Sequence, residues 1–220
     1  MILQPILLSL KVATIATIVT FFIGTICAYI MARKAIPGKN FWETILMLPM
    51  ILPPSVLGYI LLVLLGKRSL MGSFLQEHFD LQIVFTWGAC IIAASVVSLP
   101  LMYQSVKSGL LSVDLIYEEA ALDLGANKWQ TFWKITLPLA LPGLVSGIVL
   151  SFARSLGEFG ATLMVAGNIP GKTQTISTAI YFAVSSGKED LANVLVFIMT
   201  LLSFILVFSL NYWIKKELYK

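Results

Sequence analysis

The chain has 220 residues, of which 58% are hydrophobic and only 12% charged, and its mean hydropathy is +0.91. Soluble domains carry roughly 25% charged residues, so the composition excludes a soluble protein and predicts an integral membrane protein. The net charge is +4; its placement matters more than its size, and it does not indicate a nucleic-acid partner.

Apolar runs of about 20 residues mark the predicted membrane spans, since a helix of this length crosses roughly 30 Å of hydrocarbon. In chain order the qualifying runs are residues 6–32, 44–65, 83–103, 141–165 and 191–214. The segment 173–184 is shorter and rich in hydroxyl groups, so we expect a surface or half-inserted helix there, with a sixth span as the alternative. The predicted fold is an all-α, polytopic transmembrane bundle of about five spans, forming one domain over residues 1–220.

Three prolines interrupt the second run. Pro49, Pro53 and Pro54 remove backbone donors and are expected to kink the helix, with Gly58 following one turn later. Such breaks persist where protein or a water-filled cavity satisfies the carbonyl groups that lose their partners. We therefore predict a pore-lining bend, the alternative being a lipid-facing kink without function.

The positions of lysine and arginine predict the orientation, because cytoplasmic flanks of spans carry an excess of these residues. An outside N-terminus and a cytoplasmic C-terminus put nine of them inside and four outside. The inside set is Arg33, Lys34, Lys39, Lys107, Lys128, Lys134, Lys215, Lys216 and Lys220, and the outside set is Lys67, Arg68, Lys172 and Lys188. We expect a multi-pass protein of the cytoplasmic membrane with residues 104–140 in the cytoplasm.

Residues 104–140 contain start and stop signals for two short helices. Asp114 can cap the first helix, and Gly125 can end it in a left-handed conformation. Asn127 with Gln130 three residues later fits a capping box, and Pro138 is expected to close the second helix. An ordinary solvated loop is the alternative, but small residues cluster at the turn and would let another surface approach closely. We therefore predict a docking element for a soluble partner.

The run 141–165 combines a small-residue face with two charged side chains. Glycine or serine recurs every four residues from Gly143 to Ser155, which favours close helix packing. Arg154 and Glu158 are spaced to pair on one helix, and ionisable groups in a span face protein or water because exposure to lipid is costly. A structural or gating pair is favoured over a site that contacts a passing oxyanion, because the carboxylate would oppose an anion.

The stretch "AGNIPGKT", residues 166–173, is one residue from a phosphate-binding P-loop, with Ala166 in place of the first glycine. No strand precedes it and Pro170 interrupts it, so we interpret Gly167, Pro170 and Gly171 as turn residues. We expect neither a nucleotide site nor a metal site in this chain.

The stretch "EAALDLGANKWQTFWKITLP", residues 119–138, resembles the EAA loop of the membrane subunits of binding-protein-dependent ABC importers. The matching positions are Glu119, Ala120, Ala121, Gly125, Ile135, Leu137 and Pro138. In that family the loop forms coupling helices that sit in a cleft of the cytoplasmic ATPase and transmit its closure to the membrane. The resemblance therefore implies that these residues couple the chain to an ATPase.

The resemblance also implies the partners and the cycle. The expected assembly contains an ATPase subunit dimer that binds ATP and Mg, a second copy of this chain with the pore on the two-fold axis, and an extracytoplasmic binding protein. The chain itself would be non-catalytic and without a cofactor. Closure of the ATPases would open the paired spans outward to receive substrate, and hydrolysis would return the inward-facing state.

Two further stretches of sequence indicate which branch of the importer family the chain resembles. "LPMILPPSVLGYILLVLLG" in the second run and "RSLGEFGATLMVAGNIPGKTQTI" after the EAA loop resemble the molybdate and the sulfate or thiosulfate permeases, and the short length is most like the molybdate branch. The resemblance implies an oxyanion substrate, most simply molybdate, with sulfate, thiosulfate or tungstate as alternatives. A different class, a channel or an ion-coupled secondary transporter, would use Arg154 and Glu158 for selectivity or proton relay, but the inverted repeat that favours it is not evident.

Overall fold

The computed structural model describes residues 2–218, in which every regular element is a helix, so the predicted all-α class is confirmed. Met1, Tyr219 and Lys220 lie outside the described residues, and Lys220 belongs to the predicted inside charge set. The helices are α1 (Leu3–Arg33), α2 (Lys39–Ile51), α3 (Pro54–Leu65), α4 (Leu70–Phe79), α5 (Trp87–Leu111), α6 (Leu115–Asp123), α7 (Lys128–Leu139), α8 (Leu141–Leu156), α9 (Gly160–Ala166), α10 (Ile176–Ser185) and α11 (Glu189–Leu218).

Helices α1 and α5 run side by side in the same direction at the centre of the bundle. The ammonium group of Lys11 lies 3.9 Å from the ring centroid of Trp87, where α5 begins. Where both helices end, Nη2 of Arg33 donates to the carbonyl of Leu110 at 3.1 Å. A Cβ on Gly24 would lie only 2.7 Å from a side chain of α5. Small residues on the buried face of α1 thus let the two backbones approach closely.

Helix α8 packs antiparallel to α5 through its small residues, as the four-residue spacing predicts. A Cβ on Gly143 would lie 2.6 Å from the Cα of Gly109. Further along, the buried hydroxyl of Ser151 donates to the carbonyl of Ser98 at 3.3 Å. Helices α1, α5 and α8 therefore form a central three-helix core, in which small residues allow close approach of the backbones and make room for the buried side chains of Met102 and Tyr103.

This contact gives a testable prediction. Gly109→Ala would place a methyl group 2.8 Å from the Cα of Gly143 and 3.0 Å from the carbonyl oxygen of Ala140. Because neither backbone atom can rotate away, we expect a loss of about 1–3 kcal/mol, typical of an overpacked core. Thermal unfolding of the detergent-solubilised protein measures it. Gly88→Ala in the same helix is the control, since its methyl group would meet only Thr86 Oγ1, at 3.4 Å; equal melting temperatures for the two variants would contradict the prediction.

The second predicted span is interrupted, as the prolines indicate, but the break is much sharper than a kink. Helices α2 and α3 meet at 112°. Pro53 and Pro54 lie exposed at this corner, whereas Pro49 is half-buried inside α2. Proline at the first position of α3 needs no backbone donor, which allows the chain to start a new helix immediately after the turn.

The run 141–165 was expected to form one continuous span, and this expectation is wrong. Helix α8 ends at Leu156, and α9 starts at Gly160 after a break of three residues. The carboxylate of Glu158 accepts a hydrogen bond from the backbone N–H of Ala161 at 2.8 Å, so it caps the start of α9. The break follows from this local capping, which an apolar run does not reveal.

Within residues 2–218, three helices, α1, α5 and α11, are long and apolar enough to cross a membrane, and the count rises to five if each of the bent pairs α2–α3 and α7–α8 is one span. The segment 173–184 contains α10, an apolar helix of ten residues. Its first N–H donates to the hydroxyl of Ser9 at 2.8 Å, which ties α10 to the start of α1. The prediction of a helix shorter than a span is confirmed.

Candidate functional site

Helix α6 begins as the sequence predicts and is almost entirely exposed. The side chain of Asp114 accepts a hydrogen bond from the N–H of Ile116 at 3.1 Å. Glu119 and Ala120, the first two residues of the EAA pattern, are exposed, whereas Ala121 is 8% exposed and faces the interior of the protomer. Glu119 and Ala120 are therefore available to a partner, whereas Ala121 packs α6 against the rest of the protomer.

The turn after α6 is a Schellman motif centred on Gly125. The N–H of Gly125 donates to the carbonyl of Leu122 at 2.9 Å, and the N–H of Ala126 donates to the carbonyl of Ala121 at 3.0 Å. Gly125 has a φ of 89°, as predicted for the left-handed helix end, and no atom lies within 4 Å of the Cβ that a larger residue would carry. The backbone requires glycine here, and the space beside it is open.

Helix α7 begins with the predicted capping box. Asn127 Oδ1 accepts from the N–H of Gln130 at 2.9 Å, and Gln130 Oε1 accepts from the N–H of Asn127 at 3.0 Å. Trp129 lies within this box and Trp133 one turn further on, and both help to line a groove of about 700 Å³ that continues between α1 and α8. Exposed tryptophans beside an apolar groove are typical of the membrane–water interface.

Pro138 lies at the end of the second helix, as expected, since α7 ends one residue later at Leu139. Residues Phe132–Thr136 form one π-helical turn, in which the N–H of Leu137 donates to the carbonyl of Phe132. Pro138 comes in the first turn after it, where its missing N–H needs no partner. Leu137 packs against the core between α1 and α5, Ile135 is half-buried and Pro138 is exposed. The end of the EAA pattern thus attaches α7 to the bundle.

The outer surface of this pair, here called the coupling surface, is defined by exposed apolar side chains of α6, its turn and α7. Its members are Leu115, Ile116, Tyr117, Leu122, Leu124 and Trp129. Leu124, at the turn, is 89% exposed. Polar residues, among them Glu119 and Lys128, border this patch. A concentration of exposed apolar side chains among polar groups is typical of a protein-binding site.

An ion pair that sequence analysis missed ties α6 to the bundle. Nη2 of Arg33 lies 2.6 Å from Oε1 of Glu118, and the same carboxylate oxygen accepts from the hydroxyl of Thr136 at 2.8 Å. The two charged residues are 85 positions apart, so no local spacing predicts the contact. A second pair, Lys107 with Glu43 at 2.6 Å, joins α5 to α2.

Arg154 and Glu158 pair as the spacing predicts, with Nη1 and Oε2 2.9 Å apart. Glu158 lies in the break after α8 and is 3% exposed, whereas a third of the arginine side chain is accessible. The break also meets the α2–α3 corner, because a Cβ on Gly160 would lie 2.9 Å from the Cβ of Pro54. The structure therefore brings together two predicted pore elements that are far apart in the chain.

Gly58 has a different environment from the rest of the corner. It is buried, and a Cβ there would lie 2.6 Å from the side chain of Met164 and 3.0 Å from the Cα of Ala161. Within the protomer Gly58 therefore permits close packing of α3 on α9, and it does not face an open channel.

Comparison with known proteins agrees with these features. Residues 8–218 match the family model "Binding-protein-dependent transport system inner membrane component". The chain is 48% identical over 207 residues to the putative molybdenum transport system permease protein YvgM of Bacillus subtilis (strain 168), covering 94% of this chain and 91% of that protein. It is 46% identical over 178 residues to the molybdenum transport system permease protein ModB of Escherichia coli (strain K12), covering 81% and 78%.

More distant matches have the same fold. The sulfate transport system permease protein CysT of Escherichia coli (strain K12) is 36% identical over 199 residues, covering 90% of this chain and 72% of that protein. A chain of the inward-facing MetNI methionine ABC transporter superposes with a TM-score of 0.72 at 17% identity, covering 98% of this chain and 95% of that chain. The chain thus belongs to the inner membrane components of binding-protein-dependent transport systems, the permease subunits of ABC importers, and is a multi-pass protein of the cell membrane.

Proposed function

We propose that this permease imports molybdate, as a homodimer that is driven by two ATPase subunits and supplied by an extracytoplasmic binding protein. The observation that carries the ATPase assignment is the coupling surface, in which Leu124 is 89% exposed at the turn of a rigidly capped helix pair, and Trp129, packed edge-on against Trp133, is 70% exposed. An apolar tip on two short, well-capped helices suits insertion into a cleft of another protein.

The exposed helix pair also bears on where the energy for transport comes from. The seven EAA positions supply docking and attachment, and we expect ATP and Mg to be bound by the partner rather than by this chain. Movement of the ATPases would displace α6 and α7, and the π turn and Leu137 would pass this displacement to the core between α1 and α5. Alternating access then follows if the two protomers rock about their shared axis.

Molybdate is the favoured substrate because the relatives that are 46–48% identical are named as molybdenum permeases, whereas the sulfate permease is 36% identical. Tungstate has the same tetrahedral dianion chemistry and stays an alternative. Selectivity would reside mainly in the binding protein, because tight binding inside the permease would hinder release.

The pathway would pass the point where the two interrupted helix pairs meet. Pro54 at the α2–α3 corner touches Gly160, two residues from the buried Glu158. Broken helices near the middle of a membrane protein are typical of transport sites, since the ends of half-helices leave backbone groups available. We assign Pro49, Pro53 and Pro54 to the pore wall, and Arg154 with Glu158 to a structural or gating pair beside it.

The proposed orientation has the N-terminus outside and the coupling surface in the cytoplasm. It is supported by the ion pair of Arg33 with Glu118, since Arg33 and Lys128 of the inside charge set then lie at one end of the bundle. In a chain with Cys27 and Cys90 replaced by alanine, a cysteine at Lys128 should react with an impermeant maleimide only after the cells are opened. A cysteine at Lys172 should react in intact cells, and the reverse pattern would overturn the orientation.

Reconstitution tests the whole proposal. The permease, the ATPase and the binding protein, placed in proteoliposomes, should accumulate molybdate only with ATP and with all three components present, and sulfate much more slowly. Size-exclusion chromatography with light scattering should give two permease chains and two ATPase chains per particle. Uptake by the permease alone, driven by an ion gradient, would instead establish a secondary transporter.

A further inference from the structure

One carboxylate oxygen of Glu118 joins α6 to α1 and α7, and the arginine that it binds extends the link to α5. It accepts from Nη2 of Arg33 at the end of α1, at 2.6 Å, and from the hydroxyl of Thr136 in the π turn of α7, at 2.8 Å. The same arginine nitrogen donates to the carbonyl of Leu110 at the end of α5, at 3.1 Å. Glu118 itself lies in the first turn of α6. We name this set the Glu118 joint.

The joint is shielded enough to hold its geometry. The side chains of Arg33 and Glu118 are 14% and 20% exposed. An exposed ion pair contributes little because water and salt screen it, but a hydrogen bond between charged groups strengthens as water is excluded. The three hydrogen bonds of the joint also fix the orientations of the Glu118 and Arg33 side chains. A single ion pair between flexible side chains would not fix them.

Helix α6 has few other attachments. Ala121 is its one buried residue, its packing within the protomer is mainly against α7, and it follows α5 in the chain through residues 112–114. A displacement of α6 therefore reaches α5 through the backbone. The direct polar link from α6 to α1 is the contact between Glu118 and Arg33.

We infer that the Glu118 joint is the mechanical connection through which the coupling surface moves α1 together with α5, with Glu118 and Arg33 as positioning residues. This inference rests on the proposed function, since it concerns how ATPase movement reaches the membrane. Without the joint, α6 and α7 would still dock on the ATPase, but α1 would follow them less closely, through the apolar packing of Phe132 and Leu137 alone.

The chain supplies a matched control in the pair of Glu43 with Lys107. Its N–O distance is also 2.6 Å, and its side chains are 24% and 17% exposed. It joins α2 to α5 and has no contact with α6 or α7. A loss of general stability would affect both pairs alike, whereas a loss of coupling would affect the Glu118 joint only.

The test uses the complete transporter in proteoliposomes and measures molybdate imported per ATP hydrolysed. Glu118→Ala should still co-purify with the ATPase and hydrolyse ATP, but should import about fivefold less molybdate per ATP, the lower end of typical coupling between sites. Thr136→Val, which keeps the ion pair, should give a ratio of molybdate to ATP between those of Glu118→Ala and the unchanged chain. The exchange Arg33→Glu with Glu118→Arg should recover part of the ratio, and Glu43→Ala should leave it unchanged.

The outcomes separate the inference from the proposed function. If the unchanged transporter fails to import with ATP, the proposed function fails. If it imports, an unchanged ratio in Glu118→Ala, or an equal loss in Glu43→Ala, overturns the joint. Loss of ATPase co-purification in Glu118→Ala would assign the residue to docking and also overturn it. If Glu118→Ala is not recovered folded, the ratio for Thr136→Val decides, and an unchanged value there counts against the joint.

Discussion

Arg154→Gln should lower the stability of the permease more than any other single change considered, because it leaves the carboxylate of Glu158 buried without its cation. Glu158 is 3% exposed, and its partner nitrogen is 2.9 Å away. Removing one member of a buried ion pair costs about 3–5 kcal/mol. At roughly 2–4 °C per kcal/mol for a chain of this size, the melting temperature in detergent should fall on the order of 10 °C.

The double variant Arg154→Gln with Glu158→Gln distinguishes a structural pair from an anion site. Glutamine at 158 is neutral, and its side-chain oxygen can still accept from the N–H of Ala161, so the cap on α9 survives. We therefore expect the double variant to recover most of the melting temperature and, if the pair is structural, most of the molybdate uptake. Recovery of stability without recovery of uptake would show that the charges themselves act in transport, as a gate or as a contact for the passing oxyanion.

The two interrupted helix pairs explain why the bundle needs so many small residues. A corner of 112° and a break after Leu156 leave short helices that cannot bury large side chains on all sides. Gly58 and Gly160 let α3, its corner and α9 approach at backbone distance, and Gly109 with Gly143 does the same for α5 and α8. Close backbone packing provides stability within a membrane, where water does not drive helices together.

Local signals account for what could be predicted from the sequence. The caps at Asp114 and Asn127, and the left-handed turn at Gly125, depend on residues within five positions of one another, so their chemistry is visible in the chain. The approximate positions of the spans follow from apolar length alone. The EAA spacing added the partner class, which composition cannot indicate.

The features that were missed depend on contacts between distant segments or on backbone geometry inside apolar runs. The run 141–165 is long enough for one span despite its two charged residues, and the break becomes evident only from the structure, in which the carboxylate of Glu158 caps α9. The π turn before Pro138 was not predicted either; its first residue, Phe132, packs edge-on against Tyr29 of α1, with ring centroids 5.2 Å apart. The contact of Arg33 with Glu118 spans 85 positions, and charge placement predicts only that both lie on the same side.

Two substitutions of Gly125 should distinguish strain in the turn from steric hindrance of ATPase docking. Alanine mainly strains the backbone, whereas asparagine mainly fills the space beside the turn. With a φ of 89°, alanine would be strained by about 1–2 kcal/mol, whereas asparagine tolerates the left-handed region better. Asparagine, however, projects further into the open space beside the turn. If the ATPase fills that space, Gly125→Asn should weaken ATPase binding about tenfold, or about 1.4 kcal/mol, and more than Gly125→Ala does, while lowering the melting temperature of the isolated permease less.

The two Gly125 variants are thus expected to rank in opposite order for ATPase affinity and for stability, and Gly187 provides the control. It centres a second Schellman turn, with a φ of 69°, hydrogen bonds of 3.0 and 2.9 Å to the end of α10, and no atom within 4 Å of its prospective Cβ. It is predicted to lie on the opposite side of the membrane from the coupling surface. Gly187→Asn should therefore leave ATPase affinity, measured by titration of the purified subunits, unchanged. The same rank order of the two Gly125 variants in stability and in ATPase affinity would mean that only the turn matters, and that the open space beside Gly125 is not where the ATPase docks.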